Sequence, residues 1–556
     1  MFRMYGEIEE LTKQLVAVPS VNGTPGEAAI ADTITRYFQA LPYFQKHPSY
    51  LQAVPLKDDP LGRRNVFAFL KGEGSTSGRT LIFHGHTDTV GVDDFGPLKP
   101  YAFRCDALPE QMKAMALPEE IRNDLFSGDY LFGRGACDMK SGDAVFMVLL
   151  KYLSRQPETL DGNILVSFNP VEENLHTGII EAIAFFEKLK KEEKLDYLFA
   201  VNNDYTCPLY RGDPHRYVYT GTVGKLLPCF YVCGKETHVG QCFEGFDAAE
   251  VAAELVRLMN KNPDYCDGYH GEYTLPPSVL HLRDQKDFYN VQTPQSAFVY
   301  FNYFVHNNSV KRILEMLKGT AMQALENVYS KLNDSYERFC EFSGIQYSKY
   351  QHSLQVLTYD ELMGLAAARA GQGLKEDLGR QAEKELKAGT DKREISCHLV
   401  KSLVAKAGIG VPTVVVFFAP PYCPHNTLKE ERPAEKKLYG ELGSLLEQFS
   451  AESGEDYELL QFFPSLSDSS YFKIDDPEES IRLLVRNFPE FDALYPVPIR
   501  QIRSIGIPAV NYGAYGKDAH KWSERVYKPY TFDVLPRLIL KTVSRYLTKE
   551  DRLPVL

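Results

Sequence analysis

Short apolar runs that end in polar clusters recur along the first part of the chain. Leu81, Ile82 and Phe83 are followed at once by His84, Gly85, His86, Thr87 and Asp88. Such a run reads as a buried parallel strand. The cluster then falls at the strand's C-terminal end, the edge of an open α/β sheet where ligands and catalytic groups collect. NILVSFNP (163–170) leads in the same way into Val171-Glu172-Glu173, and LDYLFAVNND (195–204) into Asp204. Between them, LFGRGACDMKSGDAVFMVLLKYL (131–153) reads as a Gly-Arg-Gly turn, an Asp-Met-Lys step and a long apolar helix. Asp138 stands just before that helix, where free N–H groups and the helix dipole favour a carboxylate. Strands alternating with helices predict a parallel sheet, with these clusters along one edge.

The remaining pattern fills in the plan. Helical spacing covers 4–17, 27–41 and 177–194, and strand-like runs cover 51–55, 65–71 and 79–84. Residues 92–128 are proline-rich and read as a surface excursion. The texture changes near 211–216. VGKLLPCFYVCGKETHVGQ (223–241) alternates like an antiparallel strand, and a β-α-β-β-α-β order continues to residue 359, which predicts a separate α+β domain. The expected fold is therefore α/β: a catalytic domain with a mostly parallel sheet flanked by helices, interrupted by an α+β domain. Its expected boundaries are 1–215 for the first part of the catalytic domain, 216–359 for the inserted domain, and 360–556 for a helical extension plus the second part of the catalytic domain. That last stretch includes a buried strand at 410–421, a final strand at 506–516 and a closing helix at 531–547.

Composition narrows the function class. A chain of 556 residues with 44% hydrophobic and 24% charged residues suits a globular protein of two or three domains. A net charge of −12 argues against nucleic-acid binding, which needs a basic footprint, and against an anionic membrane surface. The ten cysteines include no CxxC pair and read as reduced thiols of a cytoplasmic protein. The N-terminus lacks a signal-peptide pattern, and no run of about 18 apolar residues predicts a membrane span.

The candidate chemistry begins at His86 and Asp88, which point to one side of an extended backbone. An imidazole can bind a metal through one ring nitrogen while a carboxylate holds the other. NVFAFLKG (65–72), LIFHGHTDTV (81–90), GRGACDMKSG (133–142), the Glu172-Glu173 pair, VCGKETHVGQ (232–241), YNVQTP (289–294) and the late His520 with Glu524 four residues on together resemble the M20 family of zinc-dependent aminoacylases and carboxypeptidases. The resemblance covers most of the chain, in order. Within that family, the length and the sequences VEEN (171–174), NND (202–204) and YNVQTP look most like arginine-utilisation proteins of the RocB type.

The resemblance implies two Zn²⁺ ions, with Mn²⁺ or Co²⁺ as alternatives, held by His86, Asp138, Glu173, Asp204 and His520, with Asp138 bridging. Carboxylates and imidazoles suit such ions. Asp88 would orient His86. Adjacent glutamates face different ways, so Glu173 can bind metal while Glu172 acts as general base. An isolated Glu-Glu pair would read as an acidic helix N-terminus, but here it ends an apolar strand between two other carboxylate-bearing strand ends. Asp196 is a second candidate ligand, but it starts its strand. Asn203 offers only a weak carbonyl. In dimeric family members the histidine matching His238 reaches the partner's site and stabilises an oxyanion, which implies a homodimer through the inserted domain. Asn290 would hold the substrate.

His84, His425, Cys137 and Trp522 read as structural. Asp468 lies in SLSDSSYF (465–472), where the family has a Gly-rich loop near the site, and Glu524 reads as sharing a helical face with His520. AFVYFNYF (297–304) contains no arginine, a departure from the family's substrate-carboxylate pocket. The expected activity is metal-dependent hydrolysis of an amide bond in an N-acyl amino acid or small peptide, in arginine catabolism. The alternatives are a di- or tripeptidase of the same fold and a catalytically silent, metabolite-binding relative. The filled ligand positions and Glu172 speak against the last.

Overall fold

The computed structural model describes residues 4–74, 76–371 and 373–548. The chain forms two compact units. One comprises residues up to Thr222, Asn426–Ile474 and the chain from Pro498 onward; the other comprises Val223–His425 and Asp475–Val497.

The first unit is built on an eight-stranded mixed sheet. Its strands are β1 (Leu51–Pro55), β2 (Arg64–Leu70), β3 (Arg79–His86), β4 (Asn163–Asn169), β5 (Asp196–Asn202), β6 (His215–Tyr219), β7 (Asp456–Leu460) and β8 (Ala509–Asn511), in the spatial order β1-β2-β4-β3-β5-β8-β6-β7. β4, β3, β5 and β8 run parallel, as their continuous apolar runs require. Helices cover both faces. Phe83 of β3 stacks on Phe146 of the helix Ser141–Leu153 at 4.7 Å, and Phe67 of β2 stacks on Phe185 of the helix Thr177–Glu192 at 3.8 Å. Register aligns the strand ends: His86 lies opposite Asn169, and Asn202 lies opposite both His84 and Asn511. Residues just past these ends therefore share one edge.

The second unit has its own sheet, in the order Ser278–Asp284, Ser296–Val305, Pro228–Cys233, Thr413–Phe418, Gln355–Thr358. The helices Ala248–Met259 and Val310–Ser343 pack against this sheet. Tyr359–Ala370, Leu374–Lys387 and Lys392–Ala407 bury Leu362, Leu378 and Leu403 with Cys229, Val415 and Phe417 of the sheet.

This division corrects the expected boundaries. Residues 360–408 and the strand at 410–421 belong to the second unit, not to the returning part of the catalytic domain. The reason is pairing: Thr413–Phe418 is buried throughout and lies between Pro228–Cys233 and Gln355–Thr358. A continuous apolar run announces a buried strand but not the sheet that receives it. At the other end, residues 216–222 belong to the first unit, because β6 pairs with β7 and β8.

Candidate metal centre

The site lies at the C-terminal edge of the parallel strands. His86 is the last residue of β3; Glu172 and Glu173 follow β4, Asp204 follows β5, and His520 lies in the turns after β8. Asp138 stands between the Gly-Arg-Gly turn and the helix Ser141–Leu153, on non-helical backbone.

Asp138 is the meeting point. Its Oδ1 lies 3.0 Å from His86 Nε2 and its Oδ2 lies 3.1 Å from His520 Nε2. His520 Nε2 is also 2.9 Å from Glu173 Oε1. Ligand atoms of His86, Asp138 and Glu173 lie within 4.8 Å of one another. Asp204 is buried beside them, with its Oδ1 accepting the Tyr205 N–H and its carbonyl held by Asn511. Asp196, the alternative, is exposed at the far end of β5.

The contacts around His86 and Glu173 depart in part from the expected ones. His86 Nδ1 is 3.2 Å from the backbone carbonyl of Asp88 and 3.7 Å from its carboxylate. The Asp88 carboxylate instead accepts the N–H groups of Glu172 and Glu173 at 3.0 and 3.1 Å and the Asn22 amide at 3.0 Å. It therefore fixes the backbone of the glutamate pair. Glu524 does not share a helix with His520: residues 518–524 form turns, with Asp518 and His520 at φ 57° and 63°. Glu524 reaches back to accept the N–H groups of Cys137 and Asp138 at 3.1 and 3.2 Å and pairs with Arg134 at 2.7 Å. Cys137 is a buried packing thiol, and Trp522 packs beside Phe95, Leu98 and Phe132.

His238 and Asn290 lie in the second unit, and the structure brings them near each other. Residues 237–239 pair with 291–293, and Asn290 donates to the Gln292 side chain. His425, also in that unit, lies 3.3 Å from Asp476.

Two groups escaped sequence reasoning. His176, four residues after Glu172, lies 2.9 Å from Asp468 and 3.9 Å from Glu172. The pattern Glu-x-x-x-His before a helix was its only trace. Asp143 is buried against Gly85, where a Cβ would come within 2.2 Å of its Oδ1; its signal was the glycine between two histidines.

The electrostatics ask for a cation. Burial and the Asp138 carboxylate push Asp204 up to about 7, and burial and Asp138 also raise Glu173. Burial raises Glu172 well above the carboxylate range. Burial opposes charge on His520, yet its bonds to Asp138 and Glu173 prevail and raise it to about 11. His86 rises for the same reason through Asp138, which the two imidazoles hold below the ordinary carboxylate range despite its burial. Carboxylates crowded out of water retain protons that a divalent cation would replace, and two imidazoles with three carboxylates form a donor set for such a cation. The residues present thus fit a metal.

Residues 82–426 match the profile of peptidase family M20/M25/M40. The chain is 39% identical to Protein RocB of Bacillus subtilis over 97% of this chain and 95% of that protein, and 33% identical to the Bacillus subtilis protein YqjN over 98% and 97%. It is 26% identical to a succinyl-diaminopimelate desuccinylase of Polynucleobacter necessarius over 45% of this chain and 57% of that protein. Its fold is similar to that of the aminopeptidase PepT of Bacillus cereus, with a TM-score of 0.51, 12% identity and 96% of each chain covered. Family profile, near full-length relatives and fold agree, and the chain belongs to the M20/M25/M40 peptidase family of hydrolases.

Proposed function

We propose that this protein is a dinuclear metal-dependent hydrolase that cleaves the amide bond of an N-acyl amino acid or short peptide derived from arginine. The observation that carries this reading is the two-sided Asp138 carboxylate, which faces His86 with one oxygen and His520 with the other. A carboxylate so placed can bridge two cations, one held with His86 and Asp204, the other with Glu173 and His520. Zn²⁺, or Mn²⁺ or Co²⁺, would supply Lewis acidity and make water more acidic.

The chain's own residues supply the proton transfer. Asp88 holds the N–H groups of both glutamates, so Glu173 faces His520 while the Glu172 carboxyl is free of that pairing. Glu172 takes a proton from the attacking water as its oxygen adds to the amide carbonyl. It then gives that proton to the departing amine nitrogen, and carboxylate and amine products leave. His238 and Asn290 hold the carbonyl oxygen in a homodimer formed through the second unit. The exposed outer strand Ser278–Asp284, with Leu280 and Leu282 facing out, supports a second copy as its cover. The likeness to RocB supports an arginine-derived substrate, and the likeness to a desuccinylase supports an N-acyl group.

We place the protein in the cytoplasm. Its ten cysteines are free thiols, and no described helix is long and apolar enough to cross a membrane. Elemental analysis paired with a release assay over N-acyl arginines, other N-acyl amino acids, dipeptides and tripeptides tests the reading. Two metals per chain with turnover of an N-acyl arginine are expected. A chain that binds no metal after reconstitution would refute the centre.

A further inference from the structure

Behind Glu172 lies a second cluster that supplies no ligand to the centre described above. Glu172, His176 and Asp468 bring ligand-type atoms within 4.8 Å of one another, all buried. His176 Nδ1 lies 2.9 Å from Asp468 Oδ1 and 3.9 Å from Glu172 Oε1. Asp468 Oδ2 lies 3.6 Å from His84 Nε2. The side chains of His84, His176 and Asp468 are each only 1% exposed. His84 is two residues before His86 on β3, so both point from the same face, His84 deeper.

The backbone is shaped to keep this cluster together. Val171 and His176 have φ 72° and 54°, and the His176 N–H closes the loop on the Val171 carbonyl at 2.9 Å. A β-branched residue at positive φ is an outlier, and such strain persists where surrounding structure over-determines it and gathers at functional sites. The strained loop is the one that carries both glutamates. On the other side, Asp468 begins a 3-10 turn whose preceding Ser467 accepts from the Ser469 N–H and from Asn202 at the end of β5.

We infer that His176 is a positioning residue for Glu172: anchored by Asp468, whose other carboxylate oxygen faces His84, its imidazole forms the wall against which the Glu172 carboxyl is set toward the substrate. The inference rests on Glu172 being the general base. Three groups from β3, the glutamate loop and the 465–472 segment act as one unit.

The test uses the metal-loaded protein and the substrate that the release assay identifies. Asp468→Ala and His176→Gln should each lower kcat about 10–100-fold, the usual cost of removing an outer partner, with KM and metal content unchanged. The double variant should be no worse than either single one, because the groups act as a unit. Asp468→Asn, which keeps an acceptor for His176, should recover part of the loss. In ¹⁵N-histidine-labelled protein, the ring N–H resonance that His176→Gln removes should shift in Asp468→Ala. Should Asp468→Ala not fold, His176→Gln, which keeps bulk, carries the test. Full kcat in His176→Gln overturns the inference, as does loss of one metal per chain in it, which would make the cluster a further metal site. Full kcat in Glu172→Gln would instead overturn the base assignment.

Discussion

Glu173 and His520 meet at 2.9 Å although 347 residues separate them. The contact forms because β4 runs parallel to β3, β3 to β5 and β5 to β8, so β4 and β8 deliver their C-terminal ends to one edge. It defines the half of the centre assembled last along the chain. His520→Ala should therefore remove one metal per chain and lower activity by more than the roughly 10–100-fold that outer-shell changes cost. Elemental analysis with kinetics on the same preparation checks this; two retained metals would remove His520 from the ligand set.

The adjacent glutamates should respond oppositely to one substitution. Glu172→Gln should lower kcat by about 10²–10⁴, the range of general acid–base catalysis, and keep both metals. Glu173→Gln should lose metal along with activity. Metal content separates the two roles directly, and a metal-depleted Glu172→Gln protein would contradict them.

Much of the site was legible because strand ends are legible. Apolar runs ending at His86, Asn169 and Asn202 place their polar successors on one edge whatever the loops do. What stayed hidden depended on backbone turns and distant pairing. His520 and Glu524 read as a helical pair, but the left-handed backbone at Asp518 and His520 turns Glu524 back onto the Asp138 turn. His176 carries no periodic signal, since its position comes from a left-handed residue between strand and helix. The apolar run at Thr413–Phe418 announces a buried strand but not its unit, because its side chains would suit either sheet.

Metal removal should expose a pH dependence. In the metal-free protein Asp204 is raised to about 7 and His520 to about 11. A raised folded-state pKa stabilises fully below the unfolded value and is lost as pH rises through the folded one. Asp204 therefore withdraws stability between about pH 4 and 7, and His520 between about pH 6.5 and 11. Chelated protein should lose thermal stability progressively across these windows, and the gain on adding Zn²⁺ should grow with pH. Binding at pH 8 should release protons, read by calorimetry in buffers of different ionisation enthalpy. A metal-induced stabilisation that shrinks from pH 6 to pH 8 would contradict the His520 assignment.

Glu524 joins stability to the centre. It is fully buried, accepts the Cys137 and Asp138 N–H groups and pairs with the buried Arg134. Glu524→Ala leaves two N–H groups without that acceptor, and Arg134 keeps the half-buried Asp94 carboxylate and the Gly91 carbonyl as partners. A broken buried pair costs about 3–5 kcal/mol, and the Asp94 contact should hold the loss near the lower end. Denaturant unfolding measures it, and a change below about 1 kcal/mol would show that the pair is dispensable.

The glycine between the two histidines of β3 makes the sharpest steric prediction. A Cβ on Gly85 would lie 2.2 Å from Asp143 Oδ1 and 3.0 Å from Met139 Cε. Met139 can swing its end away, but Asp143 is buried on the first turn of its helix, with its carboxyl pushed well above the ordinary range by burial. Gly85→Ala should destabilise by about 1–3 kcal/mol, the usual cost of overpacking. It should also disturb His86, whose N–H lies on the Met139 sulfur at 3.3 Å. Asp143→Ala removes the obstructing oxygen, so the double variant should be more stable than additivity predicts. Additive losses in that cycle would place the strain elsewhere in the strand.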